Sequence, residues 1–196
     1  MRVRLGYGLI ALAAAAVALT GCTVNGPDPE PTNSTPTTEA ESSLNLPQRP
    51  SELPIAGKQD SDVCTWLTSE QKAQLEAGGG RPVVKNGNNY NGCTFLGQSG
   101  NAQFGITLRI VPEGLAEFSK KLAGAPETID VNGFGAVQGQ IPGAESLGCA
   151  VFVDAAEGQT LYVDFGLTSP GALNNQQMCE RAKQAAEAAV TALQSS

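Results

Sequence analysis

The chain has 196 residues, 12 basic against 19 acidic, and contains no histidine. Histidine is the usual general base near neutral pH and the commonest metal ligand, so its absence excludes serine-histidine-aspartate triads, cysteine-histidine dyads and histidine-based zinc sites. The acidic balance, with no basic cluster, argues against nucleic acid and against direct binding to anionic lipid headgroups.

The amino terminus has the three-part design of a secretory signal: Arg2 and Arg4, an apolar run from Leu9 to Leu19, then small residues. The run is too short for a membrane-spanning helix, which needs about 20 apolar residues. Leu19-Thr20-Gly21-Cys22 resembles the lipobox of bacterial lipoproteins. That resemblance implies cleavage before Cys22 and alkylation of its thiol by a diacylglycerol. Each buried methylene contributes about 0.8 kcal/mol, and two or more acyl chains of palmitate type anchor stably. The expectation is a signal peptide over 1–21, lipidation at Cys22, and a cell-membrane protein held by lipid on the extracytoplasmic face. The alternative is an ordinary cleaved signal with an incidental cysteine. Losing Arg2 and Arg4 but no acidic residue leaves 10 basic against 19 acidic groups, a formal charge of minus nine.

From Thr23 the composition turns to Pro, Thr, Ser, Asn and Glu, which cannot bury enough surface to offset its ordering entropy. Residues 22–61 therefore read as a lipidated cysteine and disordered tether, reaching roughly 30 Å by flexible-coil scaling. A single domain over 62–196 follows. Thr68 and Gln71 have the form of a capping box, predicting a helix from Ser69 to about Ala77 stopped by Gly78-Gly79-Gly80. Those glycines are a helix stop rather than a phosphate cradle, because they follow a helix and no lysine-serine or lysine-threonine pair succeeds them.

A strand is expected at Arg81 to Lys85, then a tight Asn-rich loop through Gly92, then a strand at Cys93 to Gly97. Phe104, Ile106, Leu108 and Ile110 alternate with Gln103, Gly105, Thr107 and Arg109, the clearest period-two run of the chain. Pro112 is expected to start a helix with Leu115, Phe118 and Leu122 on its inner side. Further strands are expected around Gly133 to Val137, Gly148 to Val153 and Thr160 to Phe165, and an alanine-rich helix from about Asn174 to Leu193. The sum is an α+β domain with a mostly antiparallel sheet of about six strands, helices packed on one face, and two disulfides. Gly92-Cys93 and Gly148-Cys149 each open a strand, a weak internal echo that two related halves or chance would produce.

Without Cys22, four cysteines remain to pair outside the cytosol, and three pairings are possible. Cys64 with Cys93 and Cys149 with Cys179 is favoured, since each bridge pins a helix-proximal cysteine to the start of a core strand. No Cys-x-x-Cys spacing supports a redox pair. Among other candidates, Tyr90 in the Asn-rich loop offers a stacking face for sugar, and Trp66 beside Cys64 offers a platform or, more simply, disulfide packing. Asp154, Glu157 and Asp164 near the second hairpin are the acidic groups available for a calcium site or an acid-base pair, but their spacing matches no calcium loop; a hydrolase would draw on these and Glu145.

Taken together, the lipobox, the Thr/Pro-rich tether, Cys64 followed by Leu67-Thr68, Gly92-Cys93, Gly133-Phe134-Gly135, Cys149, and Cys179-Glu180-Arg181-Ala182 resemble a family of actinobacterial cell-envelope lipoproteins, domain of unknown function family 3558. The resemblance implies a compartment and a fold, and no catalytic residue. The functional expectation is a non-enzymatic domain, without cofactor or metal, that binds an envelope protein or a small apolar ligand. A small-molecule carrier predicts an apolar cavity between helix and sheet, and a protein-binding module predicts an exposed apolar patch. The alternatives are a passive spacer, or a carboxylate-dependent envelope hydrolase, which needs two facing acidic groups.

Overall fold

The structure, a computed structural model, describes residues 44–85 and 90–196. In chain order it contains α1 (Asp60–Val63), α2 (Ser69–Gln74), β1 (Ala77–Pro82), β2 (Gly92–Ser99), β3 (Ala102–Val111), α3 (Leu115–Phe118), β4 (Ala123–Val131), β5 (Phe134–Gln140), β6 (Gly148–Ala156), β7 (Gln159–Leu167) and α4 (Asn175–Gln194). The strands form one seven-stranded sheet in the order β1-β2-β3-β7-β6-β5-β4. Every neighbouring pair is antiparallel, so the α+β class holds with one strand more than expected.

The additional strand is β4. Gly124 and Pro126 interrupt its apolar pattern, and a bulge falls between Ala123 and Glu127. An edge strand tolerates both residues because one side of its ladder is unpaired. The other edge, β1, starts at Ala77 rather than Arg81, and takes in the three glycines that read as a helix stop. A glycine triplet has no side chains with which to show an alternation. The hairpin from β4 to β5 turns through Asn132 (φ 53°) and Gly133 (φ 88°), the two positive dihedrals that a tight two-residue turn needs.

Strand alternation sorts the sheet into two faces. Phe95, Ile106, Leu108, Val151, Val153, Leu161, Val163 and Phe165 face α4, which meets them with Met178, Ala182, Ala185, Ala186, Ala189, Val190 and Leu193. Alanine at four of these positions lets the helix axis lie close to the sheet. The opposite face carries Val111, Val137, Ala150 and Phe152 under Leu115 and Phe118 of α3. The helices therefore lie on both faces, where the sequence led us to expect one. Phe118 accounts for this: its ring packs 4.7 Å from Phe152 and 5.9 Å from Tyr162, aromatics that point away from α4. The α3 segment is a single turn prolonged by a 3-10 turn over Ser119–Lys121, rather than a helix from Pro112.

The domain also begins upstream of Asp62. Leu53 and Ile55 are 2% and 0% exposed, within the principal core. The Leu53 N–H donates to the Ala155 carbonyl at 2.8 Å, and Arg49 Nη1 pairs with Asp154 at 2.5 Å. Leu46 and Pro47 lie so close over β5 that a Cβ at Gly135 would stand 3.0 Å from Leu46 Cβ. Composition assigned 44–61 to the tether because apolar residues are few there. Those few have slots on the sheet, and that decides the matter. The rest of the expected tether, the signal sequence and Cys22 lie outside the described residues.

The two bridges join Cys64 to Cys93 and Cys149 to Cys179, with Cα separations of 5.0 and 4.9 Å. Cys93 pairs in register with Leu108, and Cys149 with Phe165, so each bridge enters the second residue of a strand one ladder away from the central β3/β7 pair. The internal echo thus corresponds to two three-strand meanders, β1-β2-β3 and β5-β6-β7, meeting at that pair.

Candidate functional site

The sequence candidates fall in different places. Tyr90 is half-buried, its ring edge-on to Phe118 at 6.1 Å and its hydroxyl donating to the Glu113 carboxylate. Burial, reinforced by that carboxylate, pushes its phenol up from the ordinary value. Glu113 in turn accepts from Lys121 at 2.8 Å, which holds its carboxyl below the usual range with help from Tyr90. Tyr90 is thus tied through its hydroxyl to Glu113 and through its ring to Phe118 of α3. Residues 86–89 of its loop lie outside the described residues. Trp66 belongs to the core beside Cys64 and also lines a cleft bounded by Thr68 and Gln71.

The acidic candidates do not converge. Asp154 pairs with Arg49, the Glu145 carboxylate accepts from Gly143 N–H at 2.9 Å, and Glu157 sits in the β6–β7 turn, its N–H donating to Glu52. Asp154 and Asp164 share a face, but Asp154 is opposite Thr160 and Asp164 opposite Ala150. At roughly 3.3 Å per residue their backbones are about 13 Å apart. Among the described residues no group of three or more acidic or cysteine side chains is placed to hold a metal.

Asp164 instead anchors a polar cluster that the alternation on β3 and β7 contains but does not announce. Tyr162 Oη donates to Asp164 Oδ2 at 2.9 Å, and the Thr94 and Thr107 hydroxyls meet at 3.1 Å on the neighbouring strands. Burial pushes the Asp164 carboxyl up, against the Tyr162 hydrogen bond and the nearby Arg109 guanidinium. Arg109 Nε is buried with no hydrogen-bond partner among the described residues. The cluster is part-buried on the face of the sheet opposite α4.

The feature that best fits a docking surface is the β1 edge. This strand is hydrogen-bonded to β2 on one side only, and its Gly78-Gly79-Gly80 stretch presents backbone without side chains. Natural edges are usually blunted by charge or proline. The far edge, β4, carries Pro126, Glu127 and Asp130, whereas β1 reaches Arg81 and Pro82 only at its end. Beside β1 lie Val84 and Leu96, 74% and 45% exposed, the large apolar side chains left to solvent among the described residues. A shallow groove of about 620 Å³ runs from Ala77 and Gly78 across Leu96 and Gly97 to Phe104. By contrast, Ala182, Ala185, Ala186 and Ala189 of α4 are fully buried against the sheet. Sequence reading passed over this edge because glycines carry no periodicity and Leu96 falls on the wet face of a short strand.

The elements together make a disulfide-pinned α+β domain: one sheet, a long helix across one face, and an open strand at its edge. The chain belongs to the family described as protein of unknown function (DUF3558), whose model matches residues 17–192. No curated protein and no solved structure matches it.

Proposed function

We propose that the protein is a lipid-anchored cell-envelope lipoprotein, non-enzymatic, whose domain docks an extended segment of another envelope protein along β1. The Leu19 to Cys22 lipobox supports the anchor, and two bridges suit an oxidising compartment. The observation that carries the docking is the pairing of an open glycine edge with exposed Val84 and Leu96. In strand addition, main-chain hydrogen bonds supply affinity and flanking apolar positions supply specificity. A photo-crosslinker placed at Gly79 in whole cells tests this. The expected outcome is a discrete envelope-protein adduct that is lost when Leu96→Asp is combined with it. The absence of any adduct would favour a passive spacer, and a catalytic activity removed by one point change would sink the non-enzymatic reading.

A further inference from the structure

At the opposite end of the sheet from β1, a cleft of about 400 Å³ opens between the β4/β5 edge and the first half of α4. Its lip is the β4 bulge, where Gly124 and Ala125 stand off from the ladder. Bulges recur beside functional sites because they re-aim a strand edge. Glu127, Gln138 and Gln140 form one wall, and Asn175, Gln176 and Glu180 form the other. The walls are held rigidly: the Cys149–Cys179 bridge ties α4 to β6 at the base, and Gln138 Nε2 donates to the Cys179 carbonyl at 2.7 Å.

The lining selects a ligand chemistry. Four of these six side chains are amides, each able to donate and accept, as hydroxyl groups do. The side chains of Gln140, Asn175 and Glu127 make no hydrogen bond to other described residues, whereas Gln176 donates to Glu180 at 3.1 Å. Lys183 is the basic group of the lining and already pairs with Glu187 at 3.0 Å, beside two carboxylates, so an anion is not favoured. Apolar side chains in the lining are limited to Ala125 and the bridged Cys179, the rest of its carbon surface being glycine backbone and the stems of polar side chains. We infer that this cleft binds a neutral, hydroxyl-rich sugar unit of a glycan through Gln140 and Asn175, independently of the β1 edge.

Saturation-transfer NMR of the full chain in a zwitterionic detergent tests the inference, with maltose, cellobiose, mannobiose and chitobiose as neutral probes and glucuronate and trialanine as comparators. The expected result is transfer to at least one disaccharide at low millimolar concentration. It should weaken about tenfold in Gln140→Leu and in Asn175→Ala, with the unfolding midpoint of each variant unchanged. Absence of transfer to all four disaccharides, transfer unaffected by both substitutions, or stronger transfer to trialanine or glucuronate would each overturn it. A preference for trialanine would assign the cleft to peptide.

Discussion

Gly80 lies directly against Cys93: a Cβ built on Gly80 would stand 2.5 Å from the Cys93 sulfur and 2.7 Å from Cε1 of Phe95. The sulfur is fixed by its bridge to Cys64 and cannot withdraw. Gly80→Ala should therefore behave as an overpacked core substitution, costing about 1–3 kcal/mol. Gly79, where a Cβ would meet nothing within 4 Å, is the control, and Gly79→Ala should stay within about 0.5 kcal/mol of wild type. Urea unfolding of both variants checks this, and equal midpoints would show that the β1 edge moves freely off the bridge.

Each bridge closes a loop, with sequence separations of 29 and 30. In the chain-entropy model each contributes roughly 3 to 4 kcal/mol. The paired substitutions Cys64→Ala with Cys93→Ala, and Cys149→Ala with Cys179→Ala, should each lower stability by that order. Reduction of the wild-type chain should lower it further than either pair alone. A wild-type unfolding midpoint indifferent to reductant would contradict the assignment.

Asp164 gives a pH dependence of defined sign. Burial raises its folded pKa above the unfolded value, so the native state binds the proton more tightly. Its contribution is therefore fully present below the unfolded carboxyl value, near pH 4, and is lost as pH rises through the folded value. Asp164→Asn keeps the shape and an acceptor for Tyr162 while removing the charge. Relative to wild type, the variant should gain stability as pH rises from about 4 to neutrality. Urea midpoints measured for both proteins across that range decide it, and a difference independent of pH would mean that Asp164 does not titrate differently on folding. Glu113 works in the opposite sense, since Lys121 and Tyr90 hold its carboxyl low and its contribution is lost as pH falls.

The lipid anchor is tested at Cys22. Wild-type chain expressed in a host with lipoprotein processing should partition with membranes and incorporate labelled palmitate. Cys22→Ala should release label and leave the membrane fraction, while the domain keeps its unfolding midpoint. A Cys22→Ala protein that stays membrane-bound would show that the anchor lies elsewhere.

Elements with strong side-chain periodicity were legible from sequence. The β3 and β7 alternations, the Thr68–Gln71 capping box and the alanine stripe of α4 all stand where the residues put them, the box with hydrogen bonds of 2.9 and 3.2 Å. What escaped had its pattern erased by glycine or proline, as in β1 and β4, or depended on a partner distant in sequence. Phe118 reads as a residue of the inner helix face until Phe152 and Tyr162 are seen on the far side of the sheet. The candidate docking edge and the amide-lined cleft are both of this second kind. Strand pairing sets Leu96 beside the glycines of β1, and a bridge between β6 and α4 brings Gln140 and Asn175 together.

The start of the domain gives the last prediction. If folding required only 62–196, a chain beginning at Asp62 would match one beginning at Leu44. The structure places Ile55 and Leu53 in the principal core and gives Leu53 a backbone hydrogen bond to Ala155, so the shorter chain loses two buried aliphatic side chains. Each is worth about 2–5 kcal/mol when reduced to alanine, comparable with the whole stability of many domains. The chain starting at Asp62 should therefore be largely unfolded or aggregated at 25 °C. Ile55→Ala in the longer chain should cost about 2–5 kcal/mol. Arg49→Ala, which breaks only the part-exposed pair with Asp154, should cost less than about 1 kcal/mol. Circular dichroism with urea titration of the three proteins separates these effects. A shorter chain as stable as the longer one would return residues 44–61 to the tether.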